Sequence, residues 1–253
     1  MRIVSWNIYR HNPQLSRQLT WIREHAVDVV CLQEFPEAHL GLLDTLEEYP
    51  YRHSAREFFL KKGDRADIRL YTVTLARREL LGAGSIGHHP FPRMPLRYRL
   101  AYTDLDIQFQ YVDLIGPYGR RFRIFNCHFE CVTSPEIRLK RFQQVLDTFH
   151  PEAINIICGD FNNFGHPWVN LPMSWLSSHY SLKDLWQDEK IAFEKAFTEA
   201  GLVNVFRGQR TFRKFPFQLD YVLVPQHLSI RRHAVLKPPR GSDHFPVLLE
   251  LER

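Results

Sequence analysis

The residues best suited to chemistry are Asn7, Glu34, His128, Asp160, Asn162, Asp220, Asp243 and His244, and each stands in or at the end of a run that reads as a strand. The plainest case is Ile154–Cys158, an apolar run broken at Gly159 and followed by Asp160, Phe161, Asn162 and Asn163. A strand ending in a glycine turn delivers polar groups to the rim of a sheet, held by packing yet open to solvent. Alone, that stretch serves equally well as a strand with an Asx-rich turn. Recurrence of the same arrangement elsewhere in the chain favours a shared site. Carboxylates and amides suit a hard, oxygen-seeking divalent cation, Mg²⁺ or Mn²⁺. Histidines beside acids suit orientation, proton handling and the binding of an anionic oxygen. The sequence offers no Ser or Cys nucleophile with a partnered base and no Gly-rich phosphate loop. The chemistry implied is metal-assisted attack of water on a phosphoester.

The elements that must hold these residues follow from hydrophobic spacing. Arg2–Ile8 reads as a strand ending at Asn7, and Leu15, Leu19, Ile22 and Ala26 recur at helical spacing. Val27–Gln33 is a second buried strand, closed by Glu34, and a weaker helix follows over Glu37–Glu48. From Tyr51 to Asp113 the pattern is strand-like, interrupted by a Gly- and Pro-rich loop at Gly82–Pro95. Gly116–Gly119 reads as a hairpin turn into the strand Arg121–Phe129, which carries Asn126 and His128. Pro135 opens a helix that leads to Ile154–Cys158. Phe164–Tyr180 is loop-like, and Ile191–Ala200 is a helix capped by Gly201. Gln218–Val224 is a strand containing Asp220, Leu228–Leu236 an excursion, and Phe245–Leu251 the closing strand. With no repeat, low-complexity run or linker, residues 1–253 are expected to form one domain.

The composition is that of an ordinary globular chain, 44% hydrophobic and 24% charged over 253 residues. Its net charge of +5 biases it toward an anionic partner without proving one. Cys31 and Cys158 lie in apolar runs and read as reduced core residues. Cys127 and Cys131 flank His128, but a single C-x-x-x-C pair is poor zinc spacing. No leader pattern or membrane-length apolar run is seen, so the expected compartment is cytoplasmic.

Six segments, Ser5–Ile8, Leu32–Glu34, Asn126–His128, Gly159–Asn162, Leu219–Val222 and Ser242–Val247, occur in the order found in the endonuclease/exonuclease/phosphatase superfamily. The chain resembles that superfamily from residue 5 to residue 247. The resemblance implies a four-layer α/β sandwich, two facing mixed β-sheets flanked by helices, with the site at one rim. It further implies Glu34 as the main metal ligand, with Asn7 and Asp243 nearby. Asp160 would orient or deprotonate the attacking water, and Asn162 would hold a phosphate oxygen or that aspartate. His244 and Asp220 resemble the family's His–Asp pair, and His128 the histidine that contacts phosphate. Without the resemblance, Glu34 is only a polar strand end and Asn7 a turn former.

His128 in Asn-x-His speaks against the exonuclease III and abasic-endonuclease branch. The nuclease, phosphatase and lipid-phosphoester branches stay open. The segment Phe206–Phe217 interleaves four basic residues with four Phe, suited either to gripping phosphates and stacking bases or to a basic surface with rings packed inward. Arg210, Arg213 and Lys214 are its candidate substrate contacts, and Trp168 is another. The expected activity is a Mg²⁺- or Mn²⁺-dependent phosphodiesterase or nuclease, acting as a monomer on a phosphoester such as DNA or RNA. A phosphatase or lipid phosphodiesterase with the same site is the alternative. A non-catalytic module on this fold is disfavoured because every acid and His the chemistry needs is present.

Overall fold

In the computed structural model, residues 1–62, 65–80, 86–91, 107–131, 133–165 and 188–252 are described. In chain order the elements are β1 (Arg2–Asn7), α1 (Leu15–Glu24), β2 (Val29–Pro36), β3 (Tyr51–Lys62), β4 (Arg65–Ala76), β5 (Ile86–Pro90), β6 (Gln108–Ile115), β7 (Arg121–His128), α2 (Pro135–Asp147), β8 (Ile154–Asp160), α3 (Glu189–Glu199), β9 (Leu202–Asn204), β10 (Asp220–Pro225), β11 (Ile230–Val235) and β12 (Val247–Leu251). Six strands form one sheet in the order β11-β12-β1-β2-β4-β3, and six form the other as β5-β6-β7-β8-β10-β9. Each sheet is mixed, with one parallel pair at its centre, β1 with β2 and β7 with β8. A helix makes each parallel crossover, α1 in the first sheet and α2 in the second.

Strand alternation explains the layering. Ile3, Val29, Cys31, Ile124, Ile156, Cys158, Val222 and Leu249 pack together between the sheets. Their neighbours Val4, Trp6, Val30 and Leu32 face outward onto Leu15, Leu19 and Ile22 of α1. On the other side Phe125, Ile157 and Leu223 pack against Phe142 and Val145 of α2 and Phe193 of α3. The result is the expected four-layer sandwich, helices outside two facing sheets. No helix among the described residues is long and apolar enough to cross a membrane.

The structure differs from the sequence expectation in several places. Gly159 does not break its strand, because β8 runs through it to Asp160. Its φ of +147° and its closeness to β7, where a Cβ would lie 1.8 Å from the Cys127 carbonyl oxygen, demand glycine. Glu34 does not close β2 but sits inside it, at φ 58° and where the register with β4 shifts. The expected loop Gly82–Pro95 contains β5, an edge strand where Pro90 costs no ladder bond. The Leu228–Leu236 excursion contains the edge strand β11. Helix α1 stops at Glu24, leaving Ala26 beyond it with positive φ, and Glu37–Thr45 is a 3₁₀ helix. Most of Phe164–Tyr180, with Trp168 and Trp175, lies outside the described residues.

Candidate active site

Alternation from the inter-sheet core fixes which side chains reach the rim. On β1 the inward residues are Ile3, Ser5 and Asn7; on β7, Ile124, Asn126 and His128; on β8, Ile156, Cys158 and Asp160. Register then sets His128 opposite Asp160, and Asp160 opposite Asp220, in one row across β7, β8 and β10. Glu34 would fall on the helix-covered face by alternation alone. The extra residue at its bulge lets Leu32 and Phe35 both bury outward while Glu34 joins the rim.

Asp160 is the centre of the cluster. Its Oδ2 accepts the Asn7 amide at 3.0 Å and lies 3.6 Å from both His128 Nε2 and His244 Nε2. Its Oδ1 accepts the Asn162 backbone N–H at 2.9 Å, a short-range bond that the positive φ of Asn162 accompanies. Each histidine is backed by a buried carboxylate. His244 Nδ1 is 2.9 Å from Asp220 Oδ2, and His128 Nδ1 is 2.5 Å from Glu57 Oε1. Glu57 also accepts the Glu34 backbone N–H at 2.8 Å, tying the second pair to the bulge. Glu34 itself accepts the Asn7 amide at 3.2 Å and the Arg10 N–H at 3.1 Å.

The His244 segment is fastened from two sides. Ser242 Oγ donates to the Asn7 carbonyl at 2.6 Å and accepts the His244 N–H at 2.9 Å, while Trp6 Nε1 donates to the His244 carbonyl at 3.2 Å. The buried Thr211 hydroxyl accepts the backbone N–H groups of Leu219 and Asp220, at 2.9 and 3.0 Å.

The electrostatics follow from burial against charge. Burial raises the Asp160 pKa to about 6 against the pull of the two histidines. Burial, the largest single effect, would lower both imidazoles, but the carboxylates together outweigh it, Glu57 with Asp160 and Glu34 at His128 and Asp220 with Asp160 and Asp243 at His244, and both rise to about 10. Asn162 Nδ2 lies 3.0 Å from His128 Nε2 and donates to the Phe129 carbonyl at 2.8 Å. An amide N–H facing Nε2 suits the neutral ring, so a charged His128 requires that amide to turn.

The donors fit a hard cation. Among the described residues no Lys or Arg pairs with Glu34 or Asp160, and the buried Asp220 Oδ1 has no partner. Asp160, Asp220 and His244 place ligand atoms within 4.8 Å of one another, while His244 Nδ1 already contacts Asp220 Oδ2 at 2.9 Å. Asp243, expected near Glu34, has its Oδ2 2.9 Å from Lys214 Nζ.

A model of the Endonuclease/Exonuclease/phosphatase family matches residues 4–244. The chain belongs to that family. Members of the Endonuclease/Exonuclease/phosphatase family are phosphoester hydrolases, typically dependent on a divalent metal. No curated protein matches significantly. Among solved structures, an endonuclease/exonuclease/phosphatase from Beutenbergia cavernae matches with a TM-score of 0.73 at 18% identity, over 99% of this chain and 71% of that one. D. rerio TDP2 complexed with a single-strand DNA product matches with 0.64 at 15%, over 98% and 97%. A mannosyl-6-phosphatase of Bacteroides thetaiotaomicron matches with 0.63 at 16%, over 100% of both. At these identities the likeness is one of fold.

The structure brings Asn7, Glu34, His128, Asp160, Asn162, Asp220 and His244 into one cluster of hydrogen bonds and ion contacts. Asp243, next in the chain to His244, is paired with Lys214, and Trp168 lies outside the described residues. Glu57 is the residue sequence reasoning missed. It sits mid-strand on β3, and only the pairing of the two sheets brings it to His128. Cys127 is buried on the helix-facing side of β7 and Cys131 is exposed.

Proposed function

We propose that the chain is a Mg²⁺- or Mn²⁺-dependent phosphodiesterase acting on a nucleic acid or nucleotide-like diester. One observation carries this reading: a buried carboxylate, Asp160, flanked at 3.6 Å by two imidazoles that are each backed by a second buried carboxylate. Phosphoryl transfer to water passes through an in-line, five-coordinate arrangement with charge spread over the phosphoryl oxygens. Asp160 orients the attacking water and accepts its proton, a role suited by a pKa near 6. His128 and His244, held charged by their carboxylates, face the oxygens where negative charge grows, and Asn162, its amide turned from the His128 ring, would hold a phosphate oxygen. Asp220 fixes the His244 ring through Nδ1. Glu34, with Asn7 and Asp243, would hold the cation, which when bound supplies Lewis-acid charge to the phosphoryl group.

The test offers purified protein bis-p-nitrophenyl phosphate, intact and abasic DNA, RNA, an inositol phosphate and sphingomyelin, with Mg²⁺ or EDTA. EDTA-sensitive turnover of a diester is expected, lost in Asp160→Ala and Glu34→Ala. Turnover surviving both substitutions sinks the site assignment, and turnover of the monoester alone moves the substrate to the phosphatase class.

A further inference from the structure

The segment Phe206–Phe217 carries charges that suit phosphate contacts, but most of them are already spent. Arg207 pairs with Glu194 at 2.7 Å, Arg210 donates to the carbonyls of Phe212 and Arg213, and Lys214 pairs with Asp243 at 2.9 Å. Lys214 also lies over the rings of Tyr9 and Phe212, at 5.7 and 5.9 Å, so it braces the wall of the site. The rings of the segment are arranged differently from its charges. Phe206 turns into the inter-sheet core, while Phe212 meets His244 edge-on at 5.0 Å. From Phe212 the rings continue to Phe215 (6.2 Å, 23° between planes), to Phe217 (5.8 Å) and to Phe164 (6.0 Å), which lies two residues beyond Asn162. The row therefore runs from the catalytic histidine toward the segment that follows Asp160.

This row is rigidly held. The N–H groups of Thr211 and Phe212 both donate to the Phe217 carbonyl, at 3.0 and 3.2 Å. Arg213 N donates to the Asp243 carbonyl at 2.7 Å, and Phe245 N to the Thr211 carbonyl at 2.8 Å. Yet Phe215 at the tip is 56% exposed. A large apolar ring kept in water on a braced loop beside a catalytic His is pre-organised for a flat partner. The exposed Arg213 next to it has no side-chain partner among the described residues, and stands ready for an adjoining phosphate.

We propose that Phe215, supported by Phe212 and Phe217, is a stacking subsite for a nucleobase attached to the scissile phosphodiester, so that the substrate is an unpaired nucleotide strand. The proposal rests on the phosphodiesterase reading above. Base stacking on an aromatic side chain is sequence-tolerant and needs the base out of a duplex.

Two substrates with one leaving group test it: the p-nitrophenyl ester of thymidine 5′-monophosphate and methyl p-nitrophenyl phosphate. Phe215→Ala should lower the kcat/KM preference for the nucleotide ester over the methyl ester by about 5- to 100-fold, chiefly through KM. Phe215→Trp should restore it. An unchanged preference overturns the subsite. A second readout does not need turnover: a short single strand containing 2-aminopurine, titrated in EDTA, should lose fluorescence on binding wild type and not on binding Phe215→Ala. Quenching that is absent, or indifferent to Phe215, overturns the proposal. Phe215-dependent quenching without hydrolysis of either ester upholds the subsite and refutes the phosphodiesterase reading.

Discussion

Glu57→Gln keeps the shape of a buried side chain and removes its charge, which makes it a clean probe of the second imidazole–carboxylate pair. Burial would lower the His128 pKa, but Glu57, then Asp160 and Glu34, raise it from 6.5 to about 10. At about 1.36 kcal/mol per pH decade, that net rise corresponds to roughly 5 kcal/mol, which is what remains of the carboxylates' pull after the opposing effect of burial. Glu57 is the nearest of the three, at 2.5 Å, and its share is on the order of 2 kcal/mol, as for other hydrogen bonds to charged groups. Since the folded-state pKa of about 10 lies above the ordinary 6.5, this stabilisation is fully present below 6.5 and lost as pH rises through about 10. EDTA-treated wild type and variant would be melted at about pH 6 and about pH 10.5. A loss of 2 kcal/mol in a chain of this size should lower Tm by roughly 4–8 °C at the acid pH, shrinking to less than half of that at the alkaline one. An equal loss at both pH values would refute the argument. It would mean that His128 is neutral, with Nε2 accepting from the Asn162 amide as the present geometry allows.

Two further outcomes follow. Gly159→Ala should unfold the chain or cost more than about 3 kcal/mol in a denaturant titration, because its Cβ meets the Cys127 carbonyl oxygen at 1.8 Å and its φ is +147°. Full stability in that variant would remove the strand contact from the account. In single-strand binding, Arg213→Ala should flatten the dependence of log K on log salt by about 0.7, while Arg210→Ala, whose N–H groups are held by loop carbonyls, should change it less than Arg213→Ala does.

Strand positions that end in a polar residue were legible because alternation and apolar runs are local signals. Asn7, His128 and Asp160 are each the last residue of a strand with buried inward neighbours. Glu34 was legible as a residue but not as a bulge, since the αL backbone that reorients it belongs to a non-glycine position with no sequence mark. Glu57 was not legible at all, because Arg56–Phe58 looks like any amphipathic strand and its partner lies 71 residues away. The partners of the charges in the Phe206–Phe217 segment were not legible for a related reason. Composition shows how many cations a loop carries, while their partners, Glu194, Asp243 and the loop's own carbonyls, depend on the fold.

Three of the contacts that define the site cross from one sheet to the other: Asn7 of β1 to Asp160 of β8, Glu57 of β3 to His128 of β7, and His244, just before β12, to Asp220 of β10. Apolar packing between two sheets is non-directional and by itself tolerates sliding, so it cannot hold such contacts to a few tenths of an ångström. Directional bonds just beneath the rim supply what packing lacks. Gln33 Nε2 donates to Asn126 Oδ1 at 2.8 Å, and Asn126 Nδ2 donates back to the Leu32 and Val73 carbonyls at 3.2 and 3.0 Å. Gln110 adds a bond to Thr72 Oγ1 at 2.8 Å. These buried amides are costly if unpaired, so any slip of one sheet over the other is penalised by lost hydrogen bonds rather than by weaker dispersion alone. Ion pairing between the acids and histidines at the rim attracts without fixing a single geometry, and the acids repel one another. The amide layer below them is what makes their arrangement a property of the fold.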